Sequence, residues 1–529
     1  MKAIKLKGIV KKLIVFILLI PFWSGCDYSY LDMEELPEYE YSSEWILPLL
    51  KSKMNINSLF IDSEDQTVFI DNDDLVWLIY QGELYSVTGG EEYSISNQSF
   101  NYDLTFNGAN RSKATFFQQI SFNPQEDEDI RKIIFTSGLM NFSALAPQLV
   151  LEGVQLQFDI TILNSDDGTG NPISFTTQLA QSAQVNLANK TLNFAVNQTL
   201  TVQVEVTVIS GAPSSPPYTI NISQSFSNLD YFELQGYMKQ RSFSLGSDDV
   251  DLGFFKNVVD GEIFFEDPTI ELEAENSYGI PIDIHFDAFF SSYDENKVDV
   301  TGNPIPDNPW RINAPTIMNA GTVVKTEYEI NKTNSNIHDV IAIMPKTVSY
   351  DIRGETNPDG NTQLNHVRKN SQFRVGVTVN LPLHGWLRLA GFRDTMDFAL
   401  PEVDNIEYLE LVINTVNSIP VTSFLQMDAF DADYNFLKTI LRGDQALILA
   451  AEVDFDGNVL SEKKSTTSIR IEKEELEEIK NVAHLVFRAK VTSYGDGQRN
   501  IKIFSHNELN VYVGVKAGIK QVINFGSEE

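Results

Sequence analysis

Cysteine is nearly absent: Cys26 is the only one in 529 residues. One thiol closes no internal disulfide, so packing has to hold the fold, and a cysteine-based zinc centre is excluded. Histidine is scarce as well. None of His285, His338, His366, His384, His484 and His506 has a partner at the i, i+4 spacing of a helical zinc site. Basic residues are in deficit, 39 Lys and Arg against 73 Asp and Glu, for a net charge of −34. That balance argues against nucleic acid and bare anionic lipid as partners, both of which need basic patches. There is no G-x-S-x-G nucleophile elbow, no glycine-rich phosphate loop opening a helix and no HExxH. Seventy-three carboxylates make some facing pair inevitable, so their number is no argument for glycosidase chemistry. The expectation is a non-enzymatic chain with no catalytic residue, no metal and no cofactor.

Long apolar runs are missing too, apart from residues 13–23, "LIVFILLIPFW". Eleven residues are about half the ~20 that a membrane-spanning helix needs. Lys2, Lys5, Lys7, Lys11 and Lys12 precede the run, and Ser24, Gly25 and Cys26 follow it. A basic head, a short apolar core and small residues make a secretory signal over 1–25. The stretch "FWSGC" resembles the lipobox of bacterial lipoproteins, with Trp23 where an aliphatic residue is commoner. The resemblance implies that the Cys26 sulfur is lipidated and that residue 26 becomes the new N-terminus. The alternative is an ordinary signal with an incidental cysteine. Several acyl chains at one site hold a protein firmly, at about 0.8 kcal/mol per buried methylene. Loss of the leader removes five lysines and takes the net charge from −34 to −39. Residues 26–45 then read as an acidic, aromatic tether. Asp27, Asp32, Glu34 and Glu35 resemble the surface-export signal of Bacteroidota lipoproteins, which implies an outer-membrane protein displayed at the cell surface.

Beyond the tether, strands dominate. The 34 Phe and 19 Tyr, with many β-branched residues, are strand composition. "VQLQFDITI" (154–162), "TLTVQVEVTVI" (199–209) and "TIELEAE" (269–275) alternate apolar and polar residues, the period of a half-buried strand. Asn, Asp, Gly and Pro clusters at 164–172, 210–217, 356–361, 454–458 and 494–500 supply the turns. One helix is expected over 472–485, where Leu476, Ile479 and Val482 form a stripe, and a weaker one over 126–134. The fold class is mainly β: two or three antiparallel sandwich-like domains in tandem, spanning 46–235, 236–400 and 401–529, with one C-terminal helix.

A loose internal repeat is the most informative pattern. "IELEAENSYGIPIDIHFDAF" (270–289) and "LELVINTVNSIPVTSFLQMDAF" (409–430) each run from an alternating strand through Asn-Ser and Ile-Pro to a second strand ending in Asp-Ala-Phe. A poorer copy lies at 156–179. Asn and Ser satisfy backbone groups where a strand ends, and Pro cannot continue a central ladder, so each copy predicts strand, corner, strand. The pattern is similar to the strand–corner–strand unit of LEA-type-2-like β-sandwiches and of some lipid-carrying tubular β folds. With "LLKSKMNINSLF", "LQGYMKQRSFSL", "GEIFFEDPTIELEAENSYGIP" and "LPLHGW", the chain looks like a group of Bacteroidota lipoproteins.

Few residues present themselves as ligands. "DADYN" (431–435) begins like a calcium loop, but its sixth and twelfth positions are Phe436 and Arg442, so a hairpin turn is expected, as at "DFDGN" (454–458). Trp310, in a Pro-rich loop, and Trp386, beside Gly385, are the candidate ligand-binding residues. Exposed, they would stack on sugar rings; the alternative is a packing role. The function expected is a binding or scaffold subunit of an envelope assembly or secretion machine, with protein partners. The alternatives are a surface glycan-binding protein of a nutrient-uptake system and a lipid-carrying β tube.

Overall fold

The computed structural model describes residues 39–55, 66–108, 112–122, 128–195, 197–252, 255, 258, 260–360, 362–398, 405–443 and 446–523. The leader, Cys26 and the first part of the tether lie outside them. The fold is mainly antiparallel β, with 63% of the described residues in strands and 6% in helices.

The chain enters through β1 (Tyr39–Asn55), β2 (Gln66–Ile70) and β3 (Val76–Thr88), then a single helical turn, α1 (Gly89–Glu92). Residues 39–45, expected to end the tether, are part of β1, which pairs along its length with residues 508–523. Backbone pairing with the last strand outweighs their acidic composition.

The first sandwich is built from β4 (Gln98–Phe106), β5 (Lys113–Ser121), β6 (Asp129–Leu145), α2 (Pro147–Leu151), β7 (Gln155–Ile162), β8 (Ser165–Asp166), β9 (Ile173–Gln178), β10 (Ser182–Asn186), β11 (Thr191–Asn193), β12 (Thr199–Ser210) and β13 (Tyr218–Tyr237). One sheet has β13 and β6 at its centre, and the other runs β5-β12-β7-β9. Phe106, Phe122, Phe135, Phe142, Phe158 and Phe226 fill the interior, all under 2% exposed. Each such ring contributes roughly 1.5–3 kcal/mol on leaving water. Of the weak helix expected over 126–134, residues 129–134 are instead the start of β6, and 126–127 lie outside the described residues. Ile130 and Ile133 face the core there, and the strand hydrogen-bonds between β13 and β11.

The next stretch builds the second sandwich, apart from β15 and β24, and comprises β14 (Ser242–Asp251), β15 (Glu262–Phe265), β16 (Thr269–Asn276), β17 (Ile282–Tyr293), β18 (Asn296–Asp299), β19 (Trp310–Ile312), β20 (Val324–Ile330), α3 (Ile337–Ala342), β21 (Thr347–Thr356), β22 (Asn365–Arg368), β23 (Gln372–Pro382) and β24 (His384–Arg388). Its sheets are β3-β23-β16-β20 and β14-β21-β17-β18, while β22 pairs with β13. The third comprises β25 (Ala390–Asp397), β26 (Ile406–Asn417), β27 (Val421–Phe430), β28 (Phe436–Leu441), β29 (Ala446–Ile448), β30 (Glu452–Val453), β31 (Val459–Ser461), β32 (Lys463–Glu472), α4 (Lys473–Glu478), β33 (His484–Ser493), β34 (Ile501–Lys502) and β35 (Glu508–Ile523). Its sheets are β1-β35-β26-β32 and β25-β33-β27-β28, and a small sheet runs β15-β24-β34.

The second and third sandwiches repeat one topology. β16, β17, β18, β19, β20, α3, β21 and β23 occur in the same chain order and sheet positions as β26, β27, β28, β29, β32, α4, β33 and β35. β3, which carries β2 on its far side, flanks β23 as β1 flanks β35. At both corners the strand switches sheets, and a buried Asn ties the turn. Asn276 Nδ2 donates to the carbonyls of Ile280 and Asn313, and its Oδ1 accepts from Tyr278 N–H. Asn417 Nδ2 donates to Ile419 and Leu449 carbonyls, and its Oδ1 accepts from Ile419 N–H. The copy at 156–179 differs, because β7 and β9 pair within one sheet as a hairpin.

Two compact units contain these elements. One takes Ile79–Leu252 and Asp267–Leu381; the other takes residues up to Leu78, Gly253–Glu266 and Pro382 onward. Each is assembled from separated stretches of chain. The boundary expected at 235/236 falls inside β13, and that at 400/401 lies outside the described residues.

The C-terminal helix is shorter than its stripe suggested. α4 ends at Glu478, and His484 begins β33. Leu476, Ile479 and Val482 are nonetheless buried together against Ala429 and Leu485. Successive i to i+3 hydrogen bonds, Ile479 N–H to Leu476 O and Val482 N–H to Ile479 O, keep residues three apart on one face.

Candidate functional site

The concavity that combines apolar walls with converging polar groups lies at one end of the second sandwich. It encloses about 230 Å³, and its walls include Tyr85 and Val87 of β3, Tyr93, Phe243 of β14, Tyr278 and Ile280 of the corner, and Phe373 of β23. Glu92, Arg241, Ser242 and Thr356 supply the polar groups. The rings touch one another: Tyr85 lies 6.4 Å from Phe243 and 6.1 Å from Phe373, and Tyr93 lies 6.4 Å from Tyr278, between centroids. Tilted contacts of this kind suit the ring quadrupoles.

Each wall is held by a local device. Tyr231 of β13 places its hydroxyl 2.8 Å from Gly89 O and 3.1 Å from Tyr93 O, clamping the α1 turn that carries Glu92 and Tyr93. Gly89 admits no side chain, since a Cβ there would sit 2.3 Å from Arg368 O. Glu91 reaches back to accept from Thr88 N–H and Oγ1 at the start of the same turn. Arg241 donates its backbone N–H to Thr356 Oγ1, and its guanidinium pairs with the buried Glu128 carboxylate. A buried carboxylate without such a partner is strongly destabilising, so the pair fixes Arg241 at the cavity wall.

Tyr278 is the unusual member. It is 4% exposed, and its hydroxyl is buried with no hydrogen-bond partner among the described residues. Burial, then the neighbouring Tyr93 and Glu92, push its phenol well above the ordinary tyrosine range. Burial followed by Glu128 does the same to Tyr93, and burial followed by Glu92 raises Tyr85. All three phenols therefore stay neutral at physiological pH. The cavity has neutral tyrosines in its walls rather than a phenolate nucleophile.

Other concavities are larger and open, and two of them are lined by exposed charges. A trough of about 710 Å³ covers the outer face of β3-β23-β16-β20, where Lys325 pairs with Glu273 and Glu275, and Arg374 with Glu83. A groove of about 770 Å³ between β28 and β32 carries Lys438 paired with Glu475 and Glu478. Exposed pairs of this kind are the ordinary solvated state of a charged surface.

The candidates chosen from sequence fall elsewhere. Cys26 lies outside the described residues. Trp310, read from the sequence as part of a Pro-rich loop with stacking on a sugar or packing as its alternatives, is 3% exposed and sits in β19, its backbone paired with Ile284 of β17. An enclosed indole has no free face for a sugar, so Trp310 is a core residue. Trp386, half-buried in β24, stacks on Phe264 at 5.8 Å. His285 lies 3.3 Å from the Glu355 carboxylate across β17 and β21. His384 lies in β24, its backbone paired with Lys502 of β34.

"DADYN" and "DFDGN" are hairpin turns. Asp431 Oδ1 accepts from the N–H groups of Asp433 and Asn435, and Asp454 Oδ1 from those of Asp456 and Asn458. Asp71 makes the same turn and also accepts from Trp77 Nε1. These carboxylates are committed to their own loops, and among the described residues no group of three His, Cys, Asp or Glu is placed to hold a metal.

Sequence reasoning missed the cavity, yet one signal was present. The corner reads Asn-Ser-Tyr-Gly-Ile-Pro in one copy and Asn-Ser-Ile-Pro in the other. Tyr278 and Gly279 are the difference.

Neither the family models nor the curated proteins hold a match for this chain. Among solved structures the chain is similar to a protein of Parabacteroides distasonis ATCC 8503 inferred to be secreted. Identity is 12% over 54% of this chain and 88% of that one, with a TM-score of 0.26. It is also similar to chains of Broad Bean Stain Virus, at 11% identity over 62% and 95% and a TM-score of 0.13. A further match is the infectious bursal disease virus Gx strain, at 8% identity over 88% and 85% and a TM-score of 0.12. At these scores the fold rests on the chain's own strand pairing.

Proposed function

We propose that this chain is a non-enzymatic binding or scaffold protein of the bacterial envelope, anchored to the outer membrane by lipid on Cys26 and displayed at the cell surface. The lipobox resemblance at "FWSGC" supports the anchor, and the acidic residues after it support surface export. The sheet-switching corners support the likeness to LEA-type-2-like sandwiches. The binding role is carried by one observation, the 230 Å³ aromatic cavity with its neutral phenols. Apolar walls with a few converging polar groups are the usual make-up of a recognition site.

The glycan reading needs two exposed indoles, and Trp310 has no free face. The lipid-tube reading needs a long apolar groove. The apolar seam between the sheets of the second sandwich, lined by Leu84, Val250, Leu272 and Phe286, encloses only about 20 Å³.

A photoreactive residue in place of Phe243, at the cavity wall, tests the reading in intact cells. The expected result is a crosslink to one envelope protein that the same residue in place of exposed Phe117 does not give. Identical crosslinks from both positions would refute a binding role for the cavity.

A further inference from the structure

We propose that the first half of β1, with Tyr41, Trp45 and Ile46, lies in the headgroup layer of the membrane that holds Cys26, on lipid of no net charge; this rests on the lipid anchor. Exposure is the first argument. Tyr41 is 58% exposed, Trp45 49% and Ile46 74%. Tyr41 and Trp45 share one face of the strand and Ile46 takes the other, since side chains alternate. Large apolar groups half or more exposed on both faces mark an open border of the sheet.

The facing sheet is open at the same border, which is the second argument. A groove lies between β28 and β32 along one border of the third sandwich. The strand orders β1-β35-β26-β32 and β25-β33-β27-β28 therefore put β1 and β25 at the other. Trp45 pairs with Ala517, and Ala517 with Leu409, which packs on the core, so Trp45 is on the inward face. Met396 of β25 pairs with Leu485, itself buried in that core, and is still 49% exposed. Both end strands thus bring inward-facing apolar side chains to the surface.

The route of the chain is the third. Residues 27–38 separate Cys26 from Tyr39, where β1 begins. A stretch of that length spans at most roughly 45 Å. Past Ile46 the strand changes character: Pro48, a bulge between Pro48 and Leu50, Lys51 and Lys53 follow. Such features keep an end strand from pairing with other chains. The apolar half lacks them, and it is the half nearest the anchor.

Local polar groups are the fourth. Trp and Tyr favour headgroup level, which suits both the ring and its polar tip. Trp45 Nε1 already donates to Ser43 Oγ at 3.0 Å, so lipid around the indole leaves that donor paired. Glu44, between Tyr41 and Trp45 in the sequence, accepts from the Tyr408 hydroxyl at 2.6 Å and pairs with Lys516 at 3.2 Å. An acid so compensated is compatible with lipid of no net charge, whereas the chain's net charge of −34 opposes an anionic surface.

The test is reconstitution of the full mature chain, taken from detergent-solubilised membranes, into phosphatidylcholine vesicles with and without brominated acyl chains. Bromine quenches a tryptophan that reaches the lipid. The expected result is quenched emission in wild type and loss of that quenching in Trp45→Phe. Position 46 gives an independent reading, because an acylated Cys26 has no thiol to label. A polarity-sensitive dye on Ile46→Cys should shift to shorter wavelength on reconstitution, and the same dye on Phe117→Cys, an exposed site on β5, should not. Protein that floats with the vesicles but is quenched equally in wild type and Trp45→Phe, or whose dye behaves alike at positions 46 and 117, overturns the docking and leaves the anchor. A copurifying polypeptide crosslinked to position 46, in place of quenching, assigns the strand to a protein partner and likewise overturns it. Protein that does not float with the vesicles overturns the anchor and the docking with it.

Discussion

Replacing Asn417 with Ala removes the tie that turns the chain from one sheet of the third sandwich to the other. The side chain is 1% exposed. It holds Ile419 O at 2.8 Å and Leu449 O at 2.9 Å, and accepts from Ile419 N–H at 2.8 Å. Alanine leaves these groups buried without it. Each orphaned buried group costs about 1–3 kcal/mol, and partial relaxation brings the sum to about 3 kcal/mol. With a urea slope near 2 kcal/mol per M, the midpoint falls by about 1.5 M. Asn276→Ala, which frees Ile280 O, Asn313 O and Tyr278 N–H, should cost the second sandwich a similar amount. Urea denaturation gives the magnitudes, and hydrogen exchange localises them: residues 406–430 loosen in the first variant and 269–293 in the second. Exposed Asn97→Ala is the control. Shifts under about 0.3 M in both variants would refute the corner as a structural tie.

Three further outcomes are expected. Tyr278→Phe removes an unpaired buried hydroxyl and should stabilise the ligand-free protein by about 1 kcal/mol in thermal or urea unfolding; destabilisation would mean the hydroxyl is paired. Gly279→Ala drives a methyl into the His366 ring and should cost about 1–3 kcal/mol by the same measurements. The third outcome concerns pH: Asp431 is held below the usual carboxylate range by the Asn435 side chain, and Asp454 by that of Asn458. A folded-state pKa below the unfolded one contributes stability that is present above about pH 4 and lost as pH falls through the folded value. Urea midpoints should therefore fall on acidification below about pH 4, less steeply in Asp431→Asn, Asp454→Asn protein.

Much of this architecture was legible in the alternation of apolar residues. β7, β12 and β16 fall almost where the period-two runs of 154–162, 199–209 and 269–275 lie, because each has one buried face. The Asn-Ser corners were legible because an Asn side chain satisfies backbone groups locally. The stretch 480–485 was misread because its apolar spacing of three suits both a helix and successive tight turns, and pairing of β33 with β25 and β27 decides between them. The packing alternative for Trp310 was legible, but its place in a strand was not, because a Pro-rich stretch conceals a short strand on β17. The cavity could not be read from local pattern, since its walls come from β3, α1, β14, the Tyr278 corner, β21 and β23, brought together only by topology.

The most direct test of the account is mass spectrometry of the mature N-terminal peptide, taken from membrane and soluble fractions of the source cells. A peptide beginning at Cys26 and carrying a diacylglyceryl thioether, confined to the membrane fraction and released in Cys26→Ser, is the predicted result. An unmodified Cys26 thiol on protein recovered in the soluble fraction would contradict the account.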